Sequence, residues 1–371
     1  MKPHYQVRDT SAIYSPALLF FKDLIRENIA KAVRIAGSAA RLRPHAKTHK
    51  TREIAKMELD AGITKHKCAT LAEAEMLAGC GVPDVLLAYP MVGPNCGRLA
   101  RLVKHHPKTK FGTLVDHPSA ARALSEAMTL EQQTVEALID VDVGQHRTGI
   151  APGEKAVELY ELLCKLPGLK PGGFHVYDGH NHQDSLAERE SAVKEQFAPV
   201  LQMRETLVKK GLPVPRMVVG GTPTFPVYAK MDVPGLELSP GTCILNDHGY
   251  GTHFADLDFT PAALLLTRVI SKPTATRLTL DLGYKAVASD PPAGQRVHIL
   301  NVPDCKQILQ NEEHLVLETP AADQFPLGAE VYAMPTHICP TCALHKAAYV
   351  VEGGQVTGQW EIVGRDRMLT V

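Results

Sequence analysis

The run Leu42-Arg43-Pro44-His45-Ala46-Lys47, the amphipathic stretch Arg52–Ala61 and the run His66-Lys67-Cys68-Ala69-Thr70 set out a strand, a helix and a strand. The same alternation continues to about residue 245. Short apolar runs predict further strands at Val85–Tyr89, Phe111–Val115, Ala137–Val143, Gly173–Tyr177, Met217–Gly220 and Leu236–Ser239. Helical patterns lie between most of them, at Leu71–Ala78, Pro118–Ala127, Gly153–Lys165 and Ala187–Lys210. Strands alternating with helices in this number predict an α/β protein with a (β/α)8 TIM barrel. A doubly wound open sheet is the alternative, and it lacks its marker: no G-x-G-x-x-G follows the first strand, and no G-x-x-x-x-G-K-[ST] occurs.

Beyond about Gly249 the texture changes. Leu264–Ile270, Arg277–Leu282, Arg296–Leu300, His314–Leu317, Glu330–Met334 and Ala347–Val351 are short runs divided by Pro, Gly, Asp and Asn. They predict a C-terminal all-β domain. The expected division is a barrel over 17–247 and a β domain over 248–371 together with 1–16.

Composition narrows the function. The 371 residues hold 40 Lys+Arg against 40 Asp+Glu, so there is no basic field for nucleic acid. The longest apolar runs, such as Ala262–Leu266, fall far short of the ~20 residues of a membrane span. No signal-peptide core follows Met1, and eight scattered cysteines read as reduced thiols, so a cytoplasmic enzyme acting on a small molecule is expected.

Three constellations carry chemistry. In Arg43-Pro44-His45-Ala46-Lys47-Thr48-His49-Lys50, alternation would put Arg43, His45, Lys47 and His49 on one face if the strand ran that far. Lys47 then stands at the carboxyl end of a barrel strand, where such folds keep their chemistry. A lysine desolvated among cations becomes a Schiff-base nucleophile; a solvated basic loop is the plainer reading. Second, Gly220-Gly221-Thr222-Pro223-Thr224 and Ser239-Pro240-Gly241-Thr242 follow the last two strands, the usual place of a phosphate cradle. A strand-end lysine with a phosphate cradle points to pyridoxal 5'-phosphate (PLP). Arg147 and Tyr177, at the ends of strands 5 and 6, suit an anionic ring oxygen and a ring nitrogen. Third, in Pro335-Thr336-His337-Ile338-Cys339-Pro340-Thr341-Cys342 an extended chain would turn His337 and Cys339 to one side as metal ligands. Cys339-x-x-Cys342 as a zinc ribbon would need a second pair, and no other C-x-x-C occurs.

These residues resemble the D-threonine aldolase/D-serine dehydratase family, whose barrel is of the alanine-racemase type. The likeness runs from Ser15-Pro16-Ala17-Leu18 through Arg43–Lys50, Cys68-Ala69-Thr70 with Glu73-Ala74-Glu75, and Arg147-Thr148-Gly149, to His337-x-Cys339. The resemblance implies a PLP- and metal-dependent lyase acting on a D-configured β-hydroxy amino acid. In it Lys47 carries PLP as an internal aldimine. Arg147 meets the phenolic oxygen, Tyr177 the pyridine nitrogen, and Gly221, Thr222, Gly241 and Thr242 the phosphate. It further implies one divalent ion on His337 and Cys339 that takes the substrate's β-hydroxyl. The thiolate favours zinc, with manganese or cobalt as alternatives. A His-x-Cys pair lies nearer the dehydratases than the aldolases. A homodimer is expected from the same likeness. An amino-acid racemase would need a second base and no metal, and a non-catalytic PLP-binding protein would not need the added β domain.

Overall fold

The computed structural model describes residues 2–371 and divides them into two compact units. One comprises Ala32–Lys47, Ala55–Gly241 and Asp366–Val371; the other comprises Met1–Lys31, Thr48–Ile54 and Thr242–Arg365. The first strand of the chain, β1 (Ala17–Phe21), belongs to the second unit.

The first unit is built on β2 (Lys65–Cys68), β3 (Asp84–Pro90), β4 (Lys110–Val115), β5 (Val135–Val141), β6 (Leu169–Val176), β7 (Met217–Val219) and β8 (Leu236–Leu238). All pair in parallel and in chain order, with helices between most of them. The predicted first strand, Leu42–Lys47, closes the ring without forming a regular strand. Arg43 N–H donates to Leu238 O and His45 N–H to Pro240 O on one side. On the other, Ala46 N–H donates to Lys67 O and Lys67 N–H to Pro44 O. Proline 44 has no N–H to offer a ladder, and the chain turns over Ala46–His49. The expected common face of Arg43, His45, Lys47 and His49 is therefore not formed. Arg43 and Lys47 are instead separated along the closing segment.

The barrel interior has a layered logic. At the amino ends of the strands Arg43, fully buried, bonds Asp84 at 2.8 Å and Glu237 at 2.6 Å, and Lys65 reaches Glu237 at 2.9 Å. Arg216 pairs with Glu136, which also takes Lys110 at 2.6 Å. Above this network Leu86, Leu114, Leu138 and Val218 form an apolar plug. Gly173, at φ +97°, lets β6 bulge past Arg216; a Cβ there would collide with the Arg216 carbonyl.

The second unit is an all-β sheet in the order β12-β13-β10-β9-β1-β15-β16, with β14 also on β9 and β11 on β14. Its strands are β9 (Ala263–Thr274), β10 (Arg277–Leu280), β11 (Val297–Ile299), β12 (Lys306–Gln310), β13 (Leu315–Glu318), β14 (Glu330–Pro335), β15 (Ala347–Glu352) and β16 (Gln355–Glu361). The expected barrel start at residue 17 is corrected here: β1 pairs in parallel with β15 and antiparallel with β9. Its five apolar residues are all buried, as a strand covered on both faces requires.

The buried ion network gives a stability prediction. Burial alone would raise the Asp84 and Glu237 carboxyls, but Arg43 outweighs it and holds both below their ordinary range. Depressed acids stabilise the fold above their unfolded pKa and lose that contribution as pH falls through the folded one. Arg43→Met should cost about 3 kcal/mol in urea unfolding at pH 7, since it strands buried carboxylates. The cost should shrink as the unfolding is repeated below about pH 4, where those carboxylates take up protons.

Candidate active site

The carboxyl ends of the barrel strands gather cations around one phenol ring. Tyr177 follows β6, and its ring centre lies 5.9 Å from Lys47 Nζ, 5.6 Å from Lys67 Nζ and 5.1 Å from the Arg147 guanidinium. Such contacts favour the cations through the ring's negative face. Gly221 belongs to the same group, since a Cβ there would lie 3.2 Å from Tyr177 Cε2. Gly241 N–H donates to the Thr222 hydroxyl at 3.2 Å, tying together the loops after β7 and β8. Among the described residues the buried hydroxyl of Ser239, in that second loop, has no hydrogen-bond partner. A dense set of small residues, backbone N–H groups and an unsatisfied hydroxyl suits a phosphate. Lys47, Arg147, Tyr177, Gly221, Thr222 and Gly241 thus share the barrel unit; Thr242 falls in the β unit.

In the β unit His337 and Cys339 come together, but not along an extended chain. His337 caps a helix, Ile338–Leu344, and Cys339 lies in its first turn. The turn brings the ring and the thiol within hydrogen-bonding reach. Burial disfavours the charged ring, yet Cys339 and then Asp290 outweigh it and push His337 up to about 9. Asp290 Oδ2 holds Nδ1 at 2.5 Å, so Nε2 is the nitrogen left for a metal. The hydroxyls of Thr48 and Thr242 lie 3.2 and 3.6 Å from Cys339 Sγ. Cys342 is fully buried, with burial pushing its thiol well up, and His345 bonds the Ala286 carbonyl at 2.7 Å. Among the described residues no cluster of three or more His, Cys, Asp or Glu side chains has metal-binding geometry. An imidazole fixed by a carboxylate beside a thiol nevertheless fits an open zinc site completed by water or substrate.

Several residues were not singled out from sequence. Asp247 is completely buried; its carboxylate accepts from Ile338 N–H at 3.0 Å and Tyr250 N–H at 2.9 Å, holding the start of the His337–Cys339 turn. Burial pushes it up to about 6 against those hydrogen bonds. Asp290 has no motif to announce it. Lys67, His175 and Asp140 form a buried set in the barrel; Asp140 and His175 stand near the carboxyl ends of largely apolar strands, whereas Lys67 lies in a polar run that gave no signal.

A closed parallel barrel with a cation cluster at its carboxyl ends, joined in one chain to a mixed all-β unit, defines an enzyme of the alanine-racemase fold. The chain belongs to the alanine racemase N-terminal domain family, matched over residues 22–247, and residues 262–351 match the putative serine dehydratase domain. It is 31% identical to the D-threonine aldolase of Arthrobacter sp over 87% of this chain and 85% of that one. It is 26% identical to the D-threo-3-hydroxyaspartate dehydratase of Delftia sp. (strain HT23), over 94% and 96%. The crystal structure of D-threonine aldolase from Filomicrobium marinum superposes with a TM-score of 0.88 at 28% identity, covering 95% of this chain and 96% of that one. The chain is accordingly a PLP-dependent lyase of the group that acts on D-configured β-hydroxy amino acids. Among the described residues no helix is long and apolar enough to cross a membrane.

Asp247 supplies the prediction here. Asp247→Ala leaves the buried Ile338 N–H and the part-buried Tyr250 N–H unsatisfied and should lower stability by about 2 kcal/mol, read by urea unfolding. Asp247→Asn, which keeps acceptor capacity, should cost less than half as much.

Proposed function

We propose that this chain converts a D-threo β-hydroxy amino acid by β-elimination, with PLP attached at Lys47 and one zinc ion on His337 and Cys339. The observation that carries the reading is the Asp290–His337–Cys339 arrangement, an under-coordinated donor set of the kind Lewis-acid chemistry uses. A solved Cys-to-Ala variant of a D-threo-3-hydroxyaspartate dehydratase is described as a metal-free form, which accords with a cysteine ligand in that protein. Retro-aldol cleavage is the second reading, favoured by the 31% identity to the Arthrobacter aldolase.

The bound groups supply two things: an electron sink beyond Cα and a cation that polarises the β-hydroxyl. The chain's own residues do the rest. Lys47 would hold PLP and, as a free amine, would serve as a base for the Cα proton. Tyr177 would donate a hydrogen bond to the ring nitrogen, and Arg147 would meet the ring oxygen as a fixed charge. Thr222, Gly221, Gly241, Thr242 and the Ser239 hydroxyl would hold the phosphate. Asp290 fixes the His337 tautomer and raises the ring's basicity toward the metal. A homodimer is part of the same reading, and light scattering of the active protein should return twice the chain mass.

Product analysis decides the reaction. With D-3-hydroxyaspartate, D-threonine and D-serine, elimination gives a keto acid and ammonia, whereas aldehyde and glycine would establish the second reading. Chelation should abolish either turnover while leaving the visible absorbance of bound PLP unchanged. Lys47→Ala should lose that absorbance, and Asp290→Ala should weaken zinc binding by about 10–100-fold in a competitive chelator titration. Turnover indifferent to chelator and to His337→Ala would refute the metal's role.

A further inference from the structure

The turn that carries Tyr177 and the loop that carries Thr222 are joined by a buried polar network that no motif announces. Asp178, 1% exposed, follows Tyr177 directly. Its Oδ1 accepts from the Thr224 hydroxyl at 2.8 Å, and the same hydroxyl oxygen accepts from Gly221 N–H at 3.1 Å. Its Oδ2 accepts from the Asn181 amide at 3.4 Å. Asn181 in turn exchanges hydrogen bonds of 3.0 and 3.3 Å with Gln196, on the helix Leu186–Lys209. The Tyr228 hydroxyl also bonds the Asp178 carboxylate. Asp178, Asn181, Thr224 and Tyr228 are all buried, so water cannot replace a partner that is lost.

Ring contacts clamp the same loop. Gly220 turns the chain at φ +74°, and a Cβ there would lie 3.1 Å from Thr224 Oγ1 and from Tyr228 Cδ2. The next residue, Gly221, packs on Tyr177 instead, where a Cβ would lie 3.2 Å from the ring. Tyr177 itself folds over Gly179, whose Cβ would fall 2.3 Å from the phenol oxygen. Two adjacent glycines thus lie against two different tyrosines, and Asp178 is joined to both: it follows one in the chain and bonds the hydroxyl of the other. The Thr224 hydroxyl has a single proton, already given to Asp178, so its part is to hold the loop rather than to donate to a ligand.

We propose that Asp178 and Thr224 are positioning residues that set the phosphate loop in register with Tyr177, and that this register selects the phosphorylated form of the pyridine cofactor. A loop of small residues recognises an anion by its shape, and the shape is useful only if it is fixed before the ligand arrives. Gly221 is tied through Thr224 and Asp178 to the residue after Tyr177, so the groups that address the two ends of the cofactor are held by one network. The inference rests on the reading that this loop takes the phosphate of PLP.

Binding of PLP and of pyridoxal, which lacks the phosphate, tests it in the full chain freed of cofactor, with visible absorbance as the readout. Thr224→Val keeps the shape and loses both hydrogen bonds; Asp178→Ala keeps the Thr224 hydroxyl and loses what anchors it. Each should weaken PLP about 10-fold or more and pyridoxal less than about twofold. Thr224→Ser should restore the wild-type preference. Equal weakening of both ligands would reduce the network to a structural role and overturn the proposal. Unchanged PLP affinity in Asp178→Ala, with loss only in Thr224→Val, would make Thr224 a direct ligand and overturn it as well. In the unaltered chain without cofactor the Gly221 amide should already be protected from hydrogen exchange. Fast exchange there, slowed only by added inorganic phosphate, would overturn the proposal even if no variant folded. A wild type that binds pyridoxal as tightly as PLP would overturn the phosphate cradle itself, whereas a wild-type preference kept by both variants would overturn the positioning role alone.

Discussion

The barrel depends on one buried guanidinium. Among the described residues Arg43 is the only cation bonded to both Asp84 on β3 and Glu237 on β8, and its own backbone N–H is bonded to β8. It therefore fastens a segment that has too few strand residues, and a proline among them, to close a ring by ladder bonds alone. A buried pair of this kind is weak evidence of net stability, but its loss would take the guanidinium from two largely buried carboxylates at once. Four residues further on, the same segment presents Lys47. The placement of the reactive amine is thus set from below.

Charge is distributed along the barrel accordingly. At the amino ends of the strands Arg43, Lys65, Lys110 and Arg216 meet Asp84, Glu136 and Glu237. At the carboxyl ends Lys47, Lys67 and Arg147 meet a phenol ring and a neutral imidazole instead. Between the two lies the apolar plug of Leu86, Leu114, Leu138 and Val218. One end pairs its cations directly with carboxylates; at the other, among the described residues, Lys47, Lys67 and Arg147 make no direct ion pair, the condition under which a phosphate-bearing anion is a welcome partner.

Much of this was legible in the sequence, and the failures are instructive. Strands β3 to β8 fall where apolar runs predict them because parallel strands are buried on both faces and read as continuous runs. The strands β12 and β16 escaped notice because they are the edges of their sheet, with mostly exposed polar residues and no alternation to detect. Lys47 was legible from motif and position, whereas the face expected to carry it was not, since proline and a turn interrupt the strand. Lys67 was hidden by its neighbours: in Lys65-His66-Lys67-Cys68 three of four side chains read as surface, yet all but Lys65 are buried. Only the closure of the ring shows why a lysine belongs there.

The His337–Cys339 pair shows how a local rule can give the correct juxtaposition for the wrong geometric reason. Alternation in a strand would bring residues two apart to one side, but here the chain leaves β14 and enters a helix at Ile338. In a helix, residues two apart face roughly opposite ways. The two ligands converge because His337 lies outside the helix, with extended backbone angles, while Cys339 lies inside its first turn. A junction of this sort is defined only if the helix start is held fixed. Asp247 does so by accepting the Ile338 N–H, one of the donors that every helix start leaves free. Asp290 does the same for the ring. Two carboxylates remote in sequence therefore decide the separation of imidazole and thiol, and with it the size of ion the pair can accept. A strand would have set that distance by backbone alone; a capped turn leaves it to side chains, where substitution can retune the metal without disturbing the sheet.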